Sequence, residues 1–316
     1  MTLLLYEPRH IQLYNYNSND LFLFVLLDIA NYADDNSPFD VAQSIPNVIS
    51  NLEEDAKKLL TWIKYNGLSA NPDKFHLILS DPNENLSMKV ESLEISNSLC
   101  QKLLGIAIDS KLTFKTHVKG LCTKACQKLH ALSRISNYMQ FEQRRIIMNS
   151  FILSQFGYCP LVWMLHSREL NNRINRIHCR ALRIVYQDRK STFQDLLDKD
   201  KSFTIHERNI QTLGIELYKV AYGIAPKIMR LVFPTKPQVK YPWDKIFQTF
   251  NVRTVGWGTE SLSHLGPKVW SLIPLSLKKL PFPKFRKQIR LWKPVQCPCR
   301  LYKFYLGGVG FITVSS

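Results

Sequence analysis

The apolar positions divide the chain into a strand-patterned first third and a helix-patterned remainder. Residues 1–15 show no clear period. Residues 21–27 are continuously apolar between Asp20 and Asp28, far short of the roughly 20 residues that span a bilayer, and read as a buried strand. Strand signals continue to Tyr32, and Asp34-Asp35-Asn36-Ser37-Pro38 forms a turn-rich cluster. Ile49, Leu52, Ala56, Leu59, Leu60 and Ile63 then recur at helical spacing and predict a helix over residues 46–65. Its acids Glu53, Glu54 and Asp55 precede Lys57, Lys58 and Lys64, matching the helix dipole, and Asn66-Gly67 ends it. Short strands are predicted over residues 75–79, 86–90 and 102–108.

The pattern changes at residue 114. Leu121, Ala125, Leu129, Leu132 and Ile135 mark the inner face of a helix over 114–135. Further helices are predicted over 141–153, over 170–185 with Leu170, Ile174, Ile177, Ala181 and Ile184 inward, and over 205–222. Residues 233–242, with three prolines, read as a linker. The expected fold class is therefore α+β. It has a partial sheet in residues 1–110, an all-α region over 111–232, and a linker with a small irregular region over 233–316.

Composition narrows the function. A formal net charge of +17 and a pI near 9.6 point to a polyanionic partner, nucleic acid ahead of an acidic membrane or protein. Seven cysteines, an odd number lying mostly inside apolar-periodic stretches, fit reduced thiols in an intracellular protein of nucleus or cytoplasm. No secretory signal or membrane span is expected.

Tyr32-Ala33-Asp34-Asp35 is the sharpest candidate for chemistry. Adjacent carboxylates repel, and each raises the other's pKa unless a cation neutralises them. A hairpin tip offering both to Mg²⁺ resolves that repulsion, because the ion takes carboxylate oxygens together with substrate phosphates. Two such ions about 3.5–4 Å apart activate a 3′-hydroxyl and stabilise departing pyrophosphate. The plainer alternative is a solvated Asp-Asp turn.

In this context Tyr32-Ala33-Asp34-Asp35 resembles the core motif of reverse transcriptases, and the order of the surrounding segments resembles non-LTR retrotransposons of the jockey and CR1-like type. Asn19-Asp20-Leu21-Phe22 is similar to the approach to the metal-binding hairpin. Trp62 with Gly67-Leu68-Ser69-Ala70-Asn71-Pro72-Asp73-Lys74 is similar to the next palm motif, and Leu103-Leu104-Gly105-Ile106 to the segment gripping the primer. Residues 149–183 resemble the helical thumb region, and Gly258-Thr259-Glu260-Ser261 with Gly266-Pro267-Lys268-Val269-Trp270 resembles the tail block.

The resemblance implies an RNA-directed DNA polymerase, with a palm over 1–110 and a helical thumb over 111–232. Asp34 becomes the main Mg²⁺ ligand, Asp35 the weaker partner, and Lys74 the proton donor to leaving pyrophosphate. Gly105 lets the backbone approach the primer. Read without the resemblance, Lys74 is a surface lysine before a strand and Gly105 a bulge. The family also needs a third carboxylate on an earlier palm strand, a Ser-Gln-Gly segment and fingers. Asp20 and Asp28 have the wrong spacing to supply the carboxylate. The expectation is a truncated copy, inactive alone.

Lys111, Lys115, Lys119, Lys124 and Lys128 lie along one helical segment. Arg173, Arg176, Arg180 and Arg183 follow +3, +4, +3 spacing, which places four arginines on one face away from the apolar stripe. Such faces suit the phosphates of an RNA template paired with DNA, or of a DNA duplex; the alternative is a solvated helix face. Cys297-Pro298-Cys299 falls short of a four-ligand zinc site, and Cys122 and Cys126 read as buried thiols. The histidines form no spacing motif. Two further readings stand beside the polymerase: a non-catalytic nucleic-acid-binding remnant, and a domesticated interaction protein.

Overall fold

The structure is a computed structural model. It describes the backbone of residues 2–4, 28–32, 35–42, 44–67, 69–80, 86–237, 241–244, 246–249 and 261–294, and side chains from residue 37 onward within those ranges, Pro72 excepted. The apolar run 21–27, the motif at 19–22, Asp34, the tail motif at 258–260 and Cys297/Cys299 lie outside them. The chain forms two compact units, residues 1–117 and 118–316.

The first unit is built from short strands and one long helix. Strands β1 (Thr2–Leu4), β2 (Asp28–Tyr32), β3 (Asp35–Phe39), β4 (His76–Ile78), β5 (Ser87–Val90), β6 (Leu93–Ser96), β7 (Cys100–Leu103) and β8 (Ile106–Asp109) pair antiparallel as β1–β4, β2–β3, β5–β6 and β7–β8. The single partial sheet expected over 1–110 is replaced, among the described residues, by these four two-stranded ladders. In three of them, β2–β3, β5–β6 and β7–β8, strands of four or five residues joined by tight turns pair with the next strand in the chain. β1, in a segment where no period was legible, hydrogen-bonds β4, and its backbone also runs close to β3.

Helix α1 (Ile45–Tyr65) begins where the Ser44 hydroxyl accepts a hydrogen bond from the Asn47 N–H. Leu52, Ala56, Leu59 and Trp62 bury against Leu77, Met88, Val90 and Ile95 of the strands. That apolar layer holds the unit together.

The second unit is helical. It contains most of α2 (Lys115–Ile135), then α3 (Phe141–Ile147), α4 (Pro160–Trp163), α5 (Arg168–Tyr186), α6 (Phe193–Asp200), α7 (Ile205–Ala221), α8 (Met229–Val232), α9 (Leu262–Leu272), α10 (Leu275–Lys278) and α11 (Phe282–Ile289). The helix expected over 141–153 does not run unbroken. After α3 the chain widens to a π-turn over Met148–Ile152 and tightens to a 3₁₀ turn over Leu153–Phe156. The buried stripe of α2 is Val118, Cys122, Ala125, Leu129 and Leu132. Leu121 is half-buried and Ile135 exposed, so the inner face is rotated from the one predicted.

Phe233, the first residue of the expected linker, belongs to the core. Phe233 is 1% exposed and shares a core with Leu213, Leu217, Phe247, Trp270 and Phe285. Gly266 of α9 lies against it, and a Cβ there would come within 2.8 Å of the Phe233 ring. Phe233, Phe247 and described residues of α9 to α11 thus share one apolar core with α7. Among the described residues no helix is long and apolar enough to cross a membrane.

Candidate nucleic-acid interface

Asp35 opens the second strand of a hairpin. β2 and β3 pair in the register Tyr32↔Asp35 and Asp28↔Phe39, so residues 33 and 34 connect the two strands. Asp35 begins β3, and Asn36-Ser37-Pro38 continue that strand rather than forming the predicted turn cluster. Pro38 is tolerated there because β3 has one ladder partner and needs no second row of N–H donors. Asp34 and the Asp35 side chain lie outside what the structure describes. Among the described residues, no group of three or more His, Cys, Asp or Glu side chains converges in a way that could hold a metal ion.

Lys74 closes a one-turn 3₁₀ helix, Pro72–Lys74, just before β4, and is half-buried. Its N–H donates to Asn71 O over 3.1 Å. β1 pairs with β4, just after the lysine, and its backbone also runs close to β3 of the hairpin.

The strand predicted over 102–108 is two strands, β7 and β8, with Leu103 opposite Ile106. Gly105 is therefore neither a bulge nor an in-strand gap. Leu104 and Gly105 form a two-residue turn with φ of +46° and +86°. Such a turn needs left-handed backbone at both positions, which glycine adopts without strain and leucine does not. Downstream, the Asp109 carboxylate accepts from the Thr113 N–H (2.9 Å) and hydroxyl (3.1 Å), bending the chain into α2.

The basic helices are built as their spacing suggests. α2 has no acidic residue in 21 positions, and α5 has one, Glu169, in 19. Lys111, Lys115, Lys119 and Lys124 are exposed, and Lys128 is half-buried with its ammonium 6.0 Å from the centroid of the Phe151 ring. On α5, Arg173, Arg176 and Arg180 are exposed. Arg183 departs from the row: it is half-buried and donates to Ser191 O at 3.5 Å. The Arg173 charge acts to lower the Cys122 thiol of α2. Burial nevertheless dominates there and pushes that thiol up to about 11. Cys122 is thus an inert core residue, as its place in the stripe suggests. The five described cysteines are free thiols.

Sequence reasoning missed the polar side of the buried face of α5. Asn171, Asn175 and His178 are all under 5% exposed. They sit at i, i+4 and i+7, a spacing that a search for apolar residues passes over.

The chain is 26% identical over 165 residues to the probable RNA-directed DNA polymerase from transposon BS of Drosophila melanogaster. That match covers 50% of this chain and 18% of the relative. No protein-family model and no solved structure matches. Over half its length, then, the chain is similar in sequence to a transposon reverse transcriptase.

Proposed function

We propose that the chain is a template–primer-holding part of a mobile-element reverse transcriptase of the non-LTR, jockey-like kind. The observation that carries this reading is the exposed row Arg173, Arg176 and Arg180 on a helix with one acid, together with the acid-free α2. Guanidinium groups at helical spacing suit successive phosphates of a duplex and carry no base information. The sequence similarity to a transposon RNA-directed DNA polymerase supports an RNA template paired with DNA, or a DNA duplex, as the occupant. Asp34 and Asp35, at the β2–β3 connection, are the proposed magnesium ligands, and Lys74 the proposed partner of the leaving pyrophosphate. An RNA–DNA hybrid is the direct probe. Replacing Arg173, Arg176 and Arg180 together by Gln lowers hybrid affinity at least tenfold in this reading. Unchanged affinity refutes it.

A further inference from the structure

Residues 233–316 carry 14 Lys and Arg against two acids, Asp244 and Glu260, whereas residues 1–110 carry seven against 15. This last segment therefore supplies much of the chain's positive charge, yet it lies apart in sequence from the arginine row of α5. Within it an aromatic pair is held at the surface. The rings of Tyr241 and Trp243 stack with centroids 4.8 Å apart and planes 8° from parallel, and Tyr241 is 41% exposed. The Lys279 ammonium stands 5.5 Å from the Trp243 centroid, and Lys279 is itself exposed.

The backbone beneath this stack is fixed. The Asp244 N–H donates to Tyr241 O over 3.2 Å, closing the turn that brings the two rings together. The buried Trp270 indole N–H donates to Asp244 O over 3.1 Å, which ties the turn to α9. The Lys236 N–H donates to Ile246 O over 2.7 Å and clamps the base of the loop. A partner that stacks here meets rings already in position and loses little further conformational freedom.

We propose that Tyr241, Trp243 and Lys279 form a binding platform for single-stranded nucleic acid, in which an unpaired base extends the aromatic stack and Lys279 meets the adjoining phosphate. Stacking on exposed aromatic rings inside a basic surface is how proteins hold single strands without reading their sequence. A duplex cannot use the platform, because its base faces are already stacked on one another. The occupant is thus distinct from the paired strands assigned to α2 and α5, and the two proposals stand or fall separately.

Fluorescence anisotropy on the full chain tests it, with a labelled oligothymidylate, an abasic strand of equal length and charge, and an RNA–DNA hybrid. Trp243→Ala weakens binding of the oligothymidylate on the order of tenfold, leaves the abasic strand within twofold, and leaves the hybrid unchanged. Trp243→Phe, which keeps a stacking ring, restores most of the affinity. Equal losses on the oligothymidylate and the abasic strand, or no loss on either, overturn the platform. Hybrid binding that persists in every variant separates such a failure from one of the α5 interface.

Discussion

Arg145 and Asp200 meet across the helical unit: Arg145 Nε donates to Asp200 Oδ1 over 3.1 Å, and the Tyr186 hydroxyl donates to the same oxygen over 3.0 Å. Three helices, α3, α5 and α6, are thereby tied at one carboxylate whose side chain is 4% exposed. Burial, with the Asp200 charge added, pushes the Tyr186 hydroxyl up to about 12. Asp200→Ala removes both acceptor contacts and costs about 2–3 kcal/mol. Arg145→Gln leaves the tyrosine bond intact, and the guanidinium is 41% exposed, so its loss costs about 1 kcal/mol. Urea denaturation of the two variants checks the order.

His178 predicts a pH limb. Both its ring nitrogens and both amide atoms of Asn175 are buried without a hydrogen-bond partner, and Phe193 meets the imidazole edge-on at 5.4 Å. Burial, reinforced by the nearby Arg208 charge, pushes the imidazole down to about 3. The folded pKa lies below the unfolded value near 6.5, so the stability associated with neutral His178 is complete above pH 6.5 and declines as pH falls toward 3. The loss reaches about 2 kcal/mol at pH 5. His178→Leu flattens this limb while keeping the packing, which thermal denaturation at pH 7 and pH 5 reads directly.

The β7–β8 turn is strained at leucine and relaxed at glycine. Leu104→Asn, which places a residue tolerant of left-handed backbone at φ +46°, stabilises the first unit by about 0.5–1 kcal/mol. Gly105→Ala, at φ +86°, destabilises it by about 1 kcal/mol. Opposite shifts in the unfolding midpoint are the expected result.

Helical periodicity was the most legible signal. The predicted helices over 46–65, 114–135, 170–185 and 205–222 correspond to Ile45–Tyr65, Lys115–Ile135, Arg168–Tyr186 and Ile205–Ala221. A stripe buried against a core leaves its spacing in the sequence whatever covers it. The short strands left less. β1 and β6 pair through backbone groups, which have no sequence signature, and a leucine at a left-handed turn position hides the β7–β8 hairpin. Pro234 and Pro237 made residues 233–242 read as a spacer, although Phe233 within them is core. For the site, the arginine row was legible because charge at +3 and +4 intervals survives any packing. The Tyr241–Trp243 stack was not, since two aromatics two positions apart in a proline-spaced segment form no period.

Catalysis has its own test. Assayed by themselves with Mg²⁺, a primed RNA template and deoxynucleotides, these 316 residues incorporate no nucleotide. Primer extension abolished by Asp34→Ala contradicts this and places a working metal site at the hairpin.

Whether the α5 arginines hold a duplex through its phosphates is read from the salt dependence of RNA–DNA hybrid binding. The affinity of the unaltered chain falls steeply as salt rises, and the log–log slope decreases in magnitude by about two to three when Arg173, Arg176 and Arg180 become Gln. A slope near zero, or one the triple substitution leaves unchanged, contradicts it.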